Sequence, residues 1–222
     1  MKTAVGIVMV SCAAASFAQT VYFNDFESGS AAGFDSSRLS TTPVGARSFL
    51  GRFCNDTVTL SLHDLTPGTY RLAFDFYGIG TWDGSHLPGP DWFIVNSGAT
   101  ELIRTTFAIG RTDVPSGVQL YPHIGDVGTA ALSPGRTGAI ENNTLGYISL
   151  GLYPRDAVWR LEADFEVTSA THALSFRAAN LQGIDDESWG LDNVTVSRSI
   201  PAPGALATVF GGLTLASRRR RR

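Results

Sequence analysis

Three acidic segments, each flanked by aromatic residues, carry the side chains best suited to chemistry. They are Tyr22-Phe-Asn-Asp-Phe-Glu-Ser-Gly29, Phe74-Asp-Phe-Tyr-Gly-Ile-Gly-Thr-Trp-Asp-Gly84 with its sequel Gly89-Pro-Asp-Trp-Phe93, and Asp185-Asp-Glu-Ser-Trp-Gly-Leu-Asp-Asn-Val194. Carboxylates, Asn side chains and loop carbonyls are the hard oxygen ligands that calcium takes, about six to eight at a time. The same Asp and Asn residues also serve as turn and strand-start residues, because their side chains bond the local backbone. Both readings stand on the sequence alone. Trp82, Trp92 and Trp189 lie beside Asp83, Asp91 and Glu187. An exposed ring covers the apolar C–H face of a sugar while a neighbouring acid fixes its hydroxyls, which makes Trp82, Trp92, Asp83 and Asp91 candidate ligand-binding residues. The competing reading is that these rings close the ends of a core.

Signatures of enzymes are missing. His63, His86, His123 and His172 are scattered singly, without the His-Glu-x-x-His pattern of a zinc site. No Gly-x-Ser-x-Gly elbow occurs. Glycosidases need two carboxyl groups facing each other across a cleft. The closest same-face pair, Asp164 and Glu166, falls on the solvent side of an expected strand. The expectation is a non-enzymatic protein with no catalytic residues.

The elements that must position these segments are strands. Residues 157–167 alternate Trp159, Leu161, Ala163, Phe165 and Val167 with Arg160, Glu162, Asp164 and Glu166. That period of two predicts one face in a core and one in water, as antiparallel sheets permit. Val58, Leu60 and Leu62 alternate in the same way, and so do Tyr70, Leu72, Phe74 and Phe76 against Arg71, Ala73, Asp75 and Tyr77. Further strands are predicted at 21–26, 92–96, 101–108, 145–152, 172–179 and 190–197. Asn96-Ser97-Gly98 reads as a hairpin turn. Residues 110–143, rich in Gly, Pro, Thr and Asn, form a long stretch without pattern, of a kind usually functional or mobile. The expected fold is all-β, an antiparallel two-sheet sandwich arranged as a jelly roll.

The chain's two ends read differently from its middle. Residues 1–18 combine Lys2, a mostly apolar run and Ser16-Phe17-Ala18, which is the pattern of a secretory signal peptide. Cleavage is expected after Ala18, with a rival cut before Cys12. Residues 201–222 combine Pro201-Ala-Pro203-Gly204, an apolar run that would form a short sorting helix, and Arg218, Arg219, Arg220, Arg221 and Arg222. The run falls short of a span, since spanning takes roughly 20 apolar residues. The basic end would stay cytoplasmic. Between these ends lies one domain, 19–200, in which 11 arginines face 20 acidic residues, a charge near −9. Phosphate binding needs concentrated basic charge, so no nucleic-acid partner is expected. Cys54 is the one cysteine left after export, so it is either buried as a small hydrophobe or paired between chains.

The leader together with the Pro-Ala-Pro-Gly, apolar and arginine tail resembles the PEP-CTERM class of bacterial exported proteins, with Pro-Ala-Pro in place of Pro-Glu-Pro. That resemblance implies export machinery and an exosortase-like sorting protease as partners, and membrane contact through the tail. The opening Phe-Glu-Ser-Gly and closing Leu-Asp-Asn-Val elements look like the termini of galactose-binding-like jelly rolls, an architecture shared by several carbohydrate-binding modules. The likeness implies first and last strands side by side and one structural calcium held by Glu27 and Asp192. Asp25, Asp83 and Asp91 are further candidate metal ligands. The expected function is that of an exported, surface- or envelope-directed protein that binds extracellular polysaccharide matrix or forms part of it. A secreted glycan-active hydrolase or lyase, and a purely structural surface protein without a ligand, are the alternatives.

Overall fold

The computed structural model describes residues 17–85, 90–110, 117–149 and 153–200. Of the leader expected at 1–18, residues 1–16 lie outside the described residues, as does the whole tail expected at 201–222. By backbone proximity the chain divides into Thr20–Arg198 and a second unit of Met1–Gln19 with Ser199–Arg222. The strands, in chain order, are β1 (Phe17–Asn24), β2 (Leu39–Thr41), β3 (Ser48–Phe53), β4 (Thr57–Leu62), β5 (Gly68–Gly80), β6 (Trp92–Ser97) and β7 (Thr100–Thr106). Next come the short β8 (Val118–Gln119), β9 (Ser133–Pro134), β10 (Glu141–Asn142), β11 (Ile148–Ser149) and β12 (Tyr153–Pro154). The long β13 (Asp156–Val167), β14 (His172–Ala179) and β15 (Glu187–Ile200) close the series. There is no helix among the described residues.

Two antiparallel sheets pack as a sandwich. One runs β10-β13-β5-β15-β3-β2, with β1 also paired to β15; the other runs β4-β14-β6-β7. The first and last strands therefore lie side by side, as the galactose-binding-like resemblance implies. β5 and β13 pair without interruption from Asp156↔Ile79 to Val167↔Gly68. Their alternating side chains send Phe74, Phe76, Trp159 and Leu161 into the core, where they meet Phe93, Val95, Leu174 and Phe176 of the second sheet. The Phe74 and Phe176 rings meet edge-on at 5.3 Å, and Phe76 and Phe93 lie 4.3 Å apart. Each such ring contributes roughly 1.5–3 kcal/mol by burial, with more from aromatic geometry.

The sequence patterns hold where one face of a strand meets water and fail where both are covered. Arg71, Glu162 and Asp164 are exposed, as the alternation predicts. Tyr77, expected on the solvent face, is fully buried. It belongs to a second cluster with Phe49, Ile79, Leu145 and Val158, on the sheet face that residues 141–147 cover. β3 escapes a period-two reading for the same reason. Phe49 faces this outer cluster and Leu50 the main core, so apolar residues follow one another. Of the strand expected at 145–152, residues 145–147 are not strand and Ile148–Ser149 form β11, while 150–152 lie outside the described residues.

The stretch without pattern is held by buried polar side chains. The Gln119 carboxamide oxygen accepts from the Ala108 and Arg136 amides, and its nitrogen donates to the Tyr121 and Thr137 carbonyls. The Arg136 guanidinium donates to the carbonyls of Asp156 and Gly110.

Candidate acidic site and adjoining cleft

The end of the sandwich where β5 stops and β15 starts gathers the acidic segments. β5 ends at Gly80, whose φ of +94° suits glycine, and whose added Cβ would lie 1.8 Å from the Asp186 carbonyl oxygen. That close approach lets Thr81 bind Asp186 twice: its amide donates to the carbonyl at 2.9 Å and its hydroxyl to the carboxylate at 2.6 Å. Gly80 is thereby set opposite Glu187, the first residue of β15. Trp82 then turns inward and donates its indole N–H to the Ser188 carbonyl at 2.9 Å. Asp83 bridges to Ala108 and stays exposed. The Asp91 amide donates to the Gly84 carbonyl at 2.9 Å just before β6 begins.

These connections place carboxylate oxygens of Asp83, Asp91 and Glu187 within 4.8 Å of one another. Asp91 and Glu187 are fully buried. One Asp91 oxygen accepts the Asp83 amide, while Oδ1 is buried with no hydrogen-bond partner. Glu187 Oε2 accepts the Gln182 amide at 2.9 Å, and the Gln182 carboxamide lies against the same carboxylate. Burial pushes both carboxyls above the usual carboxylate range, because a charged form loses hydration there; the Asp83 charge raises both further. Such an arrangement can share protons or hold a hard cation.

The other predicted ligands are placed differently. Asp192 is buried in β15, where Oδ2 accepts the Tyr77 hydroxyl at 2.6 Å and Oδ1 its neighbour's amide, that of Asn193, at 2.7 Å. Burial, supplemented by the charges of Asp75 and Glu27, raises its pKa to about 6. Glu27 is exposed and accepts the Ser48 amide at 2.8 Å; Asp25 caps the Glu27 amide. Glu27 and Asp192 thus feel each other's charge, but both Asp192 oxygens have protein donors. Glu187, which the sequence sets beside Trp189, joins Asp83 and Asp91 instead.

The tryptophans close the core. Trp82 is 1 % exposed and meets Phe76 edge-on at 5.4 Å. Trp92 packs with Ile94 and Leu120, and the Arg104 guanidinium covers its ring at 4.3 Å from the centroid. Trp189 is fully buried and donates to the Cys54 carbonyl. The stacking platform expected of Trp82 and Trp92 is therefore absent: tertiary packing turns strand-end rings inward. Cys54 itself is half-buried and free, its thiol pKa raised by burial.

A cleft of about 200 Å³ that sequence reasoning missed opens beside the acidic site, lined by Arg52, Gly80, Tyr147, Ile148, Arg155 and Asp185 among others. The buried Asp156 carboxylate builds its wall by accepting the amides of Leu145, Gly146 and Tyr147. Arg52 lies over the Tyr147 ring at 5.4 Å and donates to Ser188 Oγ. Arg155 donates its amide to the Tyr147 carbonyl and accepts from Gly80, and its side-chain Nε is buried without a partner. Nothing local in the sequence marks these residues, which come from four separate stretches.

No family model matches the chain, and no curated protein does. Similar solved structures include the dimeric latent PorU of Porphyromonas gingivalis, at 11 % identity and a TM-score of 0.43, over 73 % of this chain and 12 % of that one. The carbohydrate-binding module CBM6cm-2 of Cellvibrio mixtus lichenase 5A, solved in complex with cellotriose, is similar at 10 % identity and a TM-score of 0.35, over 81 % of this chain and 98 % of that one. A family GH115 4-O-methyl-alpha-glucuronidase, BtGH115A, is similar at 13 % identity and a TM-score of 0.35, over 88 % of this chain and 19 % of that one.

Proposed function

We propose that this chain is an exported, non-enzymatic protein of the bacterial envelope or extracellular matrix, whose β-sandwich binds polysaccharide at the cleft between β3, the end of β5 and Tyr147. The leader and the Pro-Ala-Pro-Gly, apolar and arginine tail support export and sorting to the envelope. The observation that carries binding is the cleft itself: an aromatic ring, two guanidinium groups and a carboxylate around a space of about 200 Å³. That volume is below the roughly 300–1,000 Å³ of sites that enclose a drug-sized ligand. It suits one sugar residue or a side branch of a longer chain. Paired arginines favour an acidic sugar, because guanidinium matches carboxylate geometry, and the buried Nε of Arg155 is a donor without an acceptor.

Hydrolysis is disfavoured by the geometry of the acids. Asp91 and Glu187 are both fully buried, whereas a retaining glycosidase opens its two carboxyls, roughly 5–5.5 Å apart, to a substrate lying across a cleft. The test is an array of acidic and neutral polysaccharides probed with the exported protein. Binding to uronate-containing chains, weakened at least tenfold by Arg155→Ala and without product release, supports the reading. Product release replaces it with a hydrolase or lyase. Silence on both counts leaves a structural surface protein.

A further inference from the structure

We infer that Asp83, Asp91 and Glu187 form a binding site for one hard divalent cation, calcium above all, which ties the Asp83 and Asp91 loop ends to the start of β15. The inference is independent of polysaccharide binding. Three carboxylate oxygens within 4.8 Å of one another fit around a single ion, since calcium–oxygen distances of about 2.3–2.6 Å allow ligands to lie up to twice that apart. The trio offers oxygen only, with no imidazole or thiolate, so zinc and copper are poorly served.

A second observation points to a ligand. Asp91 is fully buried, yet its Oδ1 has no hydrogen-bond donor. A buried acceptor without a partner is costly, and this one belongs to a carboxylate of the trio. Backbone donors hold one oxygen of each buried acid: the Asp83 amide takes the other Asp91 oxygen, and the Gln182 amide takes Glu187 Oε2. Both bonds orient the carboxylates, as supporting partners do around metal ligands; the Gln182 carboxamide also lies against Glu187, while Asp91 Oδ1 keeps no protein partner. Two buried acids and one exposed acid also give the ion a way in, because Asp83 faces solvent while Asp91 and Glu187 do not. Without a cation, two buried like charges must be neutralised by protons. With one, three negative charges against two positive leave a small residual charge. Magnesium is less suited, since it keeps its waters and demands near-octahedral geometry.

The experiment uses the purified full chain, stripped with chelator and titrated with calcium chloride while heat release and melting temperature are followed. One calcium per chain is expected, with a melting temperature raised by roughly 5 °C or more at a hundredfold excess over the dissociation constant. Magnesium chloride at the same concentration should raise it less. Asp91→Asn and Glu187→Gln should each weaken calcium binding at least tenfold. Neither should melt below the stripped wild type, because each removes a buried like charge. Asp192→Asn should keep the full calcium response. Terbium chloride provides a readout on the unmutated protein: Trp82 and Trp189 adjoin the site in sequence and should sensitise its luminescence, with calcium competing. An unchanged melting temperature in calcium, terbium without sensitised emission, or a response retained in Asp91→Asn and lost in Asp192→Asn, each overturns the site.

Discussion

Truncating Trp82 separates a core ring from a sugar platform. The ring is 1 % exposed, touches Phe76 at 5.4 Å and Phe107 at 6.4 Å, and donates its N–H to Ser188 at 2.9 Å. Trp82→Ala removes the whole ring from the core, a change that costs about 3–5 kcal/mol by lost transfer energy and cavity formation. It also leaves the Ser188 carbonyl without its donor, adding about 1–3 kcal/mol where that carbonyl stays dry. Trp82→Phe keeps an aromatic ring and loses the donor, so its cost should be about 1–3 kcal/mol, closer to the hydrogen bond alone. The assay is equilibrium urea unfolding of the full chain followed by far-ultraviolet circular dichroism, because the substitution removes a fluorophore. The slope should be unchanged and the midpoint lowered, in the order wild type, Phe, Ala. Trp82→Ala within 1 kcal/mol of wild type would refute the packing argument and restore the ring to the surface.

Further outcomes follow from other parts of the molecule. Asp192, 3 % exposed, has its pKa raised mainly by burial to about 6. The folded state therefore holds a proton that the unfolded chain gives up near its ordinary value of about 3.9. Stability in chelator should fall as pH rises from about 4 through about 6, Asp192 contributing up to about 3 kcal/mol, and the pH slope of the melting temperature should lessen in Asp192→Asn, leaving the share of the other raised carboxyls, Asp91 and Glu187. Gly80→Ala should lower the melting temperature by about 10 °C or more, since its Cβ meets the Asp186 carbonyl at 1.8 Å; Gly98→Ala, with nothing within 4 Å, should cost about 1 kcal/mol. Asp156→Ala strips three backbone amides of their acceptor; it should cost about 3 kcal/mol or more and weaken uronate binding together with stability. Deleting 201–222 should free the protein from the envelope, read by fractionation of the host; unchanged localisation would exclude a sorting tail.

The sandwich was legible because β5 and β13 carry one wet face along half their length, where Arg71, Glu162 and Asp164 break the apolar run. At the other half Tyr77 and Val158 are covered, and the pattern disappears with the water. The acidic site was half legible. Asp83 and Asp91 stand out as acids beside tryptophans, but Glu187 joins them only through the Gly80↔Glu187 register, which local spacing does not encode. The tryptophans show the converse limit. Their positions at strand ends were readable, but the direction of their rings depends on acceptors such as the Ser188 carbonyl, contributed by residues over a hundred positions away. The cleft was illegible, since its wall hangs on one carboxylate gripping three amides.

The position of β15 has a consequence for the order of assembly. This last strand lies inside its sheet, between β5 and β3, with β1 beside it as well. A chain delivered N-terminus first, whether from a ribosome or through a membrane pore, cannot complete that sheet until residues 187–200 arrive. Until then β5 and β3 have no neighbour on the sides that β15 will occupy. Pairings that span so much sequence are slow to form. Closing that sheet is therefore tied to residues 187–200, whatever the order in which the rest of the chain folds.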